Sequence, residues 1–332
     1  MQFSVRKYQK SDFEIWEKFV VKSNNGTLFQ KRNFLNYHLQ RSFVDNSLII
    51  EKSGKIFSVF PAVQLDNKGE RVLFSHPGAS FGGFVCHRTT HADAEQMVEA
   101  FEMHCFHNNI DRVVFTPSPP IYCVDHDDTL EYVLLWKKYS VQETYLSSII
   151  PTGDNKEKLL QKVCKGKKRS LKFFNNLIQD NNISFIWENH FQDYYPILLS
   201  NKKRHNSTPT HTLEELVKLN QLLPGEIHLL MAYSNEKPIG GTLILVANKN
   251  VGIIFYNMID YQYKHLQPAV LQIMETVSWA KKRGINNLDF GVSQDPRAKN
   301  PLTPSPSLIR FKEEFGGTGM IRKIFSKKIN QH

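Results

Sequence analysis

Two side chains in the second half of the sequence carry groups that could act on a reacting carbonyl. Lys312 follows the proline-containing stretch 301–306 on a predicted helix, where its ammonium could neutralise a phosphate or a developing oxyanion. Tyr256 lies late in a predicted strand, 251–258, where its hydroxyl could donate a proton or position a donor group. A lysine on a solvated helix face and a half-buried packing tyrosine are the alternative interpretations.

Four polar residues at predicted element ends could bind a substrate. Asp289 and Ser293 flank the end of a predicted strand, which is where ligands bind in open α/β sheets, although Asp289 could equally cap the following turn. Lys203 or Arg204 could clamp a carboxylate or a phosphate. A basic helix C-terminus that complements the helix dipole explains the same two residues.

The stretch 75–83, Ser-His-Pro-Gly-Ala-Ser-Phe-Gly-Gly, predicts a glycine-rich turn that could approach a ligand closely. We expect Ser80 and Phe81 to face a substrate groove from this turn. A denser basic stretch is predicted to lie within one helix and could follow the phosphates of an RNA, or it could simply be a solvated basic face. Its members are Lys162, Lys165, Lys167, Lys168, Arg169 and Lys172.

Metal-ligating residue types are present without the spacing of a metal site. The acidic stretch 125–128 reads as a solvent loop, and the pairs His87/His91 and His104/His107 have no third ligand beside them. The four cysteines are far apart and form no CxxC pair, which argues against a disulfide framework or a zinc knuckle. The sequence therefore predicts no metal site.

Composition predicts a globular chain with two cores. A length of 332 residues with 41% hydrophobic residues is ample for two lobes. Lysine and arginine exceed the acidic residues by ten, which favours a phosphate-bearing partner, although a solvated basic surface would give the same balance. The first residues lack the apolar stretch of a signal peptide, and no run approaches the roughly 20 apolar residues of a membrane span. We therefore expect a soluble, cytoplasmic protein.

The elements that must position these residues occur in the same order in both halves of the sequence. In each half, a strand and helices precede a three-stranded meander, and a long helix then leads into one more strand. The first half is predicted to contain strands at 3–6, 48–50, 56–65, 71–75 and 112–115, with helices at 31–39 and at 92–106. A further helix is predicted to start at Ser11, which would cap it and form a capping box with Glu14. The second half is predicted to contain strands at 183–187, 227–232, 239–246, 251–258 and 287–290, with helices between 193 and 222 and at 268–283. Thr212 and Glu215 are predicted to form a capping box at the start of one of these helices. This repeat predicts two similar α/β lobes.

Four motifs give the chain a resemblance to the tandem GNAT acyltransferases, and more closely to their Fem-type branch. They are residues 25–29 (NGTLF), 75–83 (SHPGASFGG), 288–291 (LDFG) and 311–317 (FKEEFGG), of which the last is the most specific. The resemblance implies two GNAT-like lobes, each a mixed sheet flanked by helices. One lobe would comprise 1–150 plus about 318–332, because the C-terminal strand returns to it, and the other 151–317. It also implies catalytic roles for Lys312 and Tyr256, in a groove of the second lobe.

The resemblance further implies a transferase that forms an amide, or less commonly an ester, on a small-molecule or nucleotide-sugar acceptor in peptidoglycan or polysaccharide biosynthesis. The usual GNAT coenzyme loop is replaced here by residues 263–269 (YKHLQPA), which lack the glycines that wrap a pyrophosphate. Acyl-CoA as a co-substrate and aminoacyl-tRNA both remain possible donors, and no permanently bound cofactor is expected. A non-catalytic binding module that keeps the fold is the alternative.

Overall fold

The computed structural model describes residues 2–38, 43–153, 161–165, 169–204, 206–295 and 297–329. The chain divides into two compact units, residues 1–145 with 321–332 and residues 146–320. Each unit contains strands of a mixed sheet with helices packed against them. The predicted fold class, with two α/β lobes and a C-terminal strand that returns to the first, is confirmed.

The first unit contains two sets of paired strands. Strands β1, β2, β3 and β6 pair in that order, and β4, β5, β7 and β14 form the second set. The strands are β1 (Phe3–Lys7), β2 (Leu48–Lys52), β3 (Lys55–Phe60), β4 (Val63–Asn67), β5 (Glu70–Ser75), β6 (Val85–Cys86), β7 (Arg112–Phe115) and β14 (Thr318–Lys328). The helices are α1 (Phe13–Lys22), α2 (Arg32–Leu35), α3 (His91–His107) and α4 (Thr129–Trp136). Phe325 of β14 stacks on Phe115 of β7, so the last strand contributes to the core of this unit.

The second unit has the strand order β8-β13-β12-β11-β10-β9. The strands are β8 (Ser140–Pro151), β9 (Ile183–Ile186), β10 (Ile227–Ser234), β11 (Lys237–Val246), β12 (Val251–Ile259) and β13 (Asn287–Val292). The helices are α5 (Leu171–Asp180), α6 (Phe191–Arg204), α7 (Leu213–Leu222), α8 (Pro268–Lys282) and α9 (Pro306–Glu313). Helices α6 and α8 both pack on β11 and β12, and the buried residues of α8 form the main core of the unit.

The repeated order that the sequence predicts is present in both units. Helix α3 connects β5 to the parallel strand β7, and α8 connects β12 to the parallel strand β13. Helix α7 begins with the capping box expected from its sequence, since Thr212 accepts from the Glu215 N–H and the Glu215 carboxylate accepts from the Thr212 N–H.

Several predicted element boundaries are wrong. Ser11 does not cap α1, because a 3-10 turn covers Lys10–Asp12 and the Asp12 carboxylate accepts from the Gln9 N–H while pairing with Arg6. The predicted strand 56–65 is two strands, interrupted at Pro61, which has no N–H to donate. The predicted helix 31–39 is only α2, and residue 39 lies outside the described residues.

The basic stretch 162–172 does not form one helix. Residues 161–165 are helical, whereas α5 starts at Leu171 with the Ser170 hydroxyl accepting from the Phe173 N–H. Lys167 and Lys168 lie outside the described residues. Arg169 lies before α5, with its guanidinium 5.3 Å from the Phe173 ring centroid. The serine cap ends any continuous helical register, because an N-cap residue has extended backbone angles.

Candidate active site

Strands β12 and β13 separate partway along their length. They pair in parallel only where Val251, Gly252 and Ile253 lie opposite residues 287–289. Tyr256 and Gly291 each follow this paired segment on their own strand. Two central strands that part in this way create a gap in the sheet whose walls carry backbone groups and side chains from both strands.

A β-bulge in β12 decides which way Tyr256 points. Leu243 of β11 lies opposite Tyr256, whereas the next residue, Ile244, lies opposite Ile254, so Phe255 is the extra residue. Because side chains alternate along a strand, an extra residue reverses the alternation. Ile254 therefore remains in the core beneath α8, and Tyr256 turns to the opposite face, which α6 covers.

Tyr256 is buried on this face, with 6% of its surface exposed, and it contacts α6 and the loop between α6 and α7. Its hydroxyl accepts a hydrogen bond of 3.1 Å from the backbone N–H of Thr210. The ammonium of Lys202, on α6, lies 4.9 Å from the centroid of its ring, and the ring of His211 packs edge-on at 6.3 Å. Burial raises the pKa of Tyr256, so the hydroxyl is protonated at neutral pH and can serve as a hydrogen-bond or proton donor.

A pair of glycines in β11 allows both covering helices to approach the sheet. A Cβ on Gly240 would lie 2.1 Å from the side-chain amide of Gln272 on α8, and one on Gly241 would lie 2.7 Å from the Tyr194 ring on α6. Tyr194 is fully buried, and its hydroxyl has no hydrogen-bond partner among the described residues. The side chain of Asn257 donates to the Ala269 carbonyl at 3.3 Å, which links β12 to the first turn of α8.

Lys312 lies on α9 and is buried, with 4% of its surface exposed, and its ammonium reaches the end of β13. Its ammonium donates to the carbonyls of Gly291 and Val292 at 2.7 and 2.9 Å. It also donates to the Ser293 hydroxyl at 2.8 Å. Since an ammonium has three N–H groups, these three acceptors occupy all of its donors.

Asp289 holds the same turn from the other side. Its carboxylate accepts from the Gly291 N–H at 2.7 Å and from the Ser147 hydroxyl of β8 at 2.6 Å, and the residue is fully buried. Gly291 has a φ of +69°, a conformation that favours glycine. Asp289 thus binds the N–H of Gly291, and Lys312 binds its carbonyl.

The two second-unit motifs, LDFG and FKEEFGG, therefore contact each other directly. LDFG supplies the aspartate and the left-handed glycine, and FKEEFGG supplies the lysine that binds the glycine carbonyl. Phe290 and Phe315 from the same two motifs pack edge to face at 5.9 Å. A Cβ on Gly317 would lie 2.8 Å from the Lys312 carbonyl, so the second glycine keeps the chain close to the lysine.

The other predicted site residues lie at the end of α6 and in the first unit. Lys203 and Arg204 are exposed at the end of α6, where the Arg204 guanidinium lies 4.2 Å from the Tyr261 ring centroid. In the first unit, Ser80 is half-buried, and Phe81 is fully buried against Phe29 and Tyr122. The structure places the Phe81 side chain in a core and not on a surface that a substrate could reach.

Sequence reasoning missed Lys202 and His211. A signal for Lys202 is present in α6, where Tyr194 and Leu198 are buried and Lys202 follows at the same four-residue spacing. Residues at this spacing lie on one face of a helix, so Lys202 points inward while Lys203 points out. His211 had no such signal, because its position depends on how the loop after α6 folds onto β12.

The N-terminus of α8 does not fit a coenzyme pyrophosphate in the usual GNAT manner. A 3-10 helix, Tyr261–Leu266, replaces the open loop, and Gln267 is left-handed with a φ of 51°. Pro268 has no N–H, and the Val270 N–H already donates to the Gln267 carbonyl at 3.0 Å. Two of the first three amides of α8 are thus absent or engaged, which leaves fewer donors for phosphate oxygens than a helix N-terminus usually offers.

Within the described ranges, no three histidine, cysteine, aspartate or glutamate side chains converge on a possible metal position. No helix among those same residues has the length and apolarity needed to cross a membrane.

Comparison with known proteins agrees with this geometry. Residues 190–299 match the model of the acetyltransferase (GNAT) domain. The crystal structure of FemX superimposes with a TM-score of 0.71 at 10% identity, over 98% of this chain and 97% of that chain. The structure of L-PGS from Bacillus licheniformis gives 0.57 at 10% identity, over 98% and 94%. A tandem GNAT protein from the clavulanic acid biosynthesis pathway gives 0.53 at 7% identity, over 100% and 99%. No curated protein matches the sequence.

The chain thus has the tandem fold seen in FemX, as its motifs predicted, and residues 190–299 are similar to the GNAT acetyltransferase domain. The domain match supports the predicted membership of the GNAT-superfamily acyltransferases.

Proposed function

We propose that the second unit transfers an acyl or aminoacyl group to an amine and forms an amide. The observation that carries this proposal is the separation of β12 from β13 after residue 253, with the bulge turning Tyr256 to the α6 face. A gap between two strands can hold a donor carbonyl in place, which supplies the positioning that acyl transfer requires. The acetyltransferase domain match over residues 190–299 supports the same assignment.

In this mechanism the acceptor amine attacks the donor carbonyl directly. A C–N bond forms, the bond from the carbonyl carbon to the leaving oxygen or sulfur breaks, and the proton that the amine loses replaces the one that Tyr256 gives to the leaving atom. Tyr256, whose hydroxyl is protonated at neutral pH, donates a proton to the leaving atom. Lys203 and Arg204 lie exposed at the end of α6, where they can meet an acidic group of the acceptor.

For the donor, the geometry of α8 favours aminoacyl-tRNA over acyl-CoA. Pro268 and the engaged Val270 N–H leave little for a pyrophosphate to bind at this helix N-terminus. Exposed Lys165, Arg169 and Lys172 in the same unit could instead contact an RNA backbone. We place the reaction in the cytoplasm, with a small or nucleotide-linked amine as acceptor in envelope or polysaccharide assembly.

The proposal is tested by single-turnover transfer from aminoacyl-tRNA and from acyl-CoA to candidate amines. With the correct donor, Tyr256→Phe should lower the rate of transfer about tenfold or more, because the leaving atom loses its proton donor. Tyr132→Phe is the matched control, since Tyr132 is exposed on α4 in the first unit. An unchanged rate in Tyr256→Phe would show that Tyr256 does not donate a proton to the leaving atom.

A non-catalytic binding module is the second candidate. The observation that favours it is Lys312, whose three donors are all engaged by the protein itself. Absence of transfer with both donor classes, together with specific binding of one of them, would establish this alternative.

A further inference from the structure

Lys202 is a half-buried cation that has no acidic partner among the described residues. It lies on the inward face of α6 with its ammonium over the Tyr256 ring, at 4.9 Å from the ring centroid. Within the ranges that the structure describes, no carboxylate lies within ion-pair distance of it. Burial lowers the pKa of Lys202, and no acidic group counters that effect.

A cation in this position is costly without a counter-ion. Removing an ammonium from water carries a free-energy penalty that proteins usually offset with an opposite charge. Contact with the face of Tyr256 offsets only part of this penalty, because the ring quadrupole attracts cations. An anion that binds from outside the chain would offset the rest of this free-energy penalty.

The neighbouring residues keep this cation in place and add to its field. Asn201 donates to the Ile259 carbonyl at 2.6 Å and fixes the last turns of α6 against the end of β12. Lys203 and Arg204 follow directly and raise the local positive potential. The helix dipole accounts for exposed cations such as Lys203 and Arg204 at a helix C-terminus. It does not account for a lysine that points inward, as Lys202 does.

We propose that Lys202 is the centre of an oxyanion-binding subsite, which takes a carboxylate or phosphate group of the substrate beside Tyr256. This inference rests on the proposed transfer function and adds to it the chemical class of one substrate. The molecule that binds beside the reacting carbonyl carries an oxyanion close to its reacting group, as an amino acid or a phosphorylated amine would. A neutral amine lacks the group that this lysine is placed to bind.

Binding of simple oxyanions to the full chain tests the subsite without any turnover. Wild type, Lys202→Met, Lys202→Arg and Lys249→Met are titrated with inorganic phosphate and with acetate at constant ionic strength, and thermal stabilisation is followed. Lys249 is an exposed lysine in the β11–β12 turn of the same unit, so its loss is the matched change of charge. Wild type, Lys202→Arg and Lys249→Met should saturate, whereas Lys202→Met should lose at least tenfold in affinity.

The two anions separate the possible sources of the oxyanion. Saturation by phosphate alone assigns a phosphate-bearing substrate, and saturation by acetate alone assigns a carboxylate. Equal titration of Lys202→Met and wild type, or no saturation with either anion, overturns the subsite. In the transfer assay, Lys202→Met should raise KM about tenfold with a smaller change in kcat. Failure of all transfer with an intact Lys202-dependent titration would refute the proposed function but not the subsite.

Discussion

Replacing Lys312 with methionine tests whether this lysine acts on the substrate or on the protein. The substitution keeps most of the apolar stem and removes the ammonium. It leaves two carbonyls, of Gly291 and Val292, and the Ser293 hydroxyl without the donor that binds them at 2.7 to 2.9 Å. A buried acceptor that loses its partner costs about 1–3 kcal/mol, and breaking a buried charged interaction typically costs 3–5 kcal/mol.

We therefore expect Lys312→Met to lower the free energy of unfolding by about 3–5 kcal/mol, measured by urea titration with circular dichroism. Hydrogen exchange at the Gly291 and Val292 amides should accelerate, because the turn after β13 loses its anchor. Asp289→Asn weakens the other side of the same turn. The two substitutions should therefore be non-additive in a double-mutant cycle for both stability and transfer rate.

Lys249→Met serves as the control and should change stability by less than about 0.5 kcal/mol, as exposed substitutions do. The reasoning is refuted if Lys312→Met unfolds with the wild-type free energy and nevertheless loses transfer activity a hundredfold. That result would mean that the ammonium leaves its three acceptors and acts on the reacting group.

Two further predictions concern buried groups outside the turn. Tyr194→Phe should leave the free energy of unfolding unchanged or raise it by about 1 kcal/mol, measured by urea titration, because the Tyr194 hydroxyl has no partner among the described residues. A decrease of more than about 2 kcal/mol would reveal a hydrogen bond of this hydroxyl that is not among those described. His76 is buried and its pKa is lowered from 6.5 to about 4, mainly by burial. The unfolded chain therefore binds a proton that the folded one does not as pH falls from about 6.5 to about 4, and stability should decrease by up to about 3 kcal/mol over that window. His76→Gln should flatten this part of the pH–stability curve, and a curve identical to wild type would assign the dependence to other groups.

The order of elements could be predicted because it depends on local patterns. Period-two and period-3.6 hydrophobicity mark the meander and the long helix in each half, and Thr212 with Glu215 marks the start of α7. These signals reside within a few consecutive residues. The prediction at Ser11 was wrong for the same local reason, since Asp12 has a competing partner, Arg6, that a four-residue motif does not include.

The site depends on contacts between distant segments, and that is why the sequence indicated some of its residues, such as Tyr256 and Lys312, but neither Lys202 and His211 nor the arrangement of the whole. The direction of Tyr256 follows from the register of β12 against β11, which shifts by one residue at Phe255. The acceptors of Lys312 precede it by about twenty residues, in a turn that only the folded sheet brings beneath α9. No spacing rule links LDFG to FKEEFGG, although each motif is visible on its own.

The position of β14 has a consequence for how the protein is made. The first unit ends its main segment at Tyr145 and is completed only by residues from 321 onward. During synthesis, more than two hundred further residues must follow Phe115 of β7 before Phe325 can cover it, and until then the edge of β7 is open to other strands. The second unit is contiguous and can fold as soon as it leaves the ribosome. Premature termination shortly before residue 321 should therefore yield a chain whose second unit is complete and whose first unit aggregates.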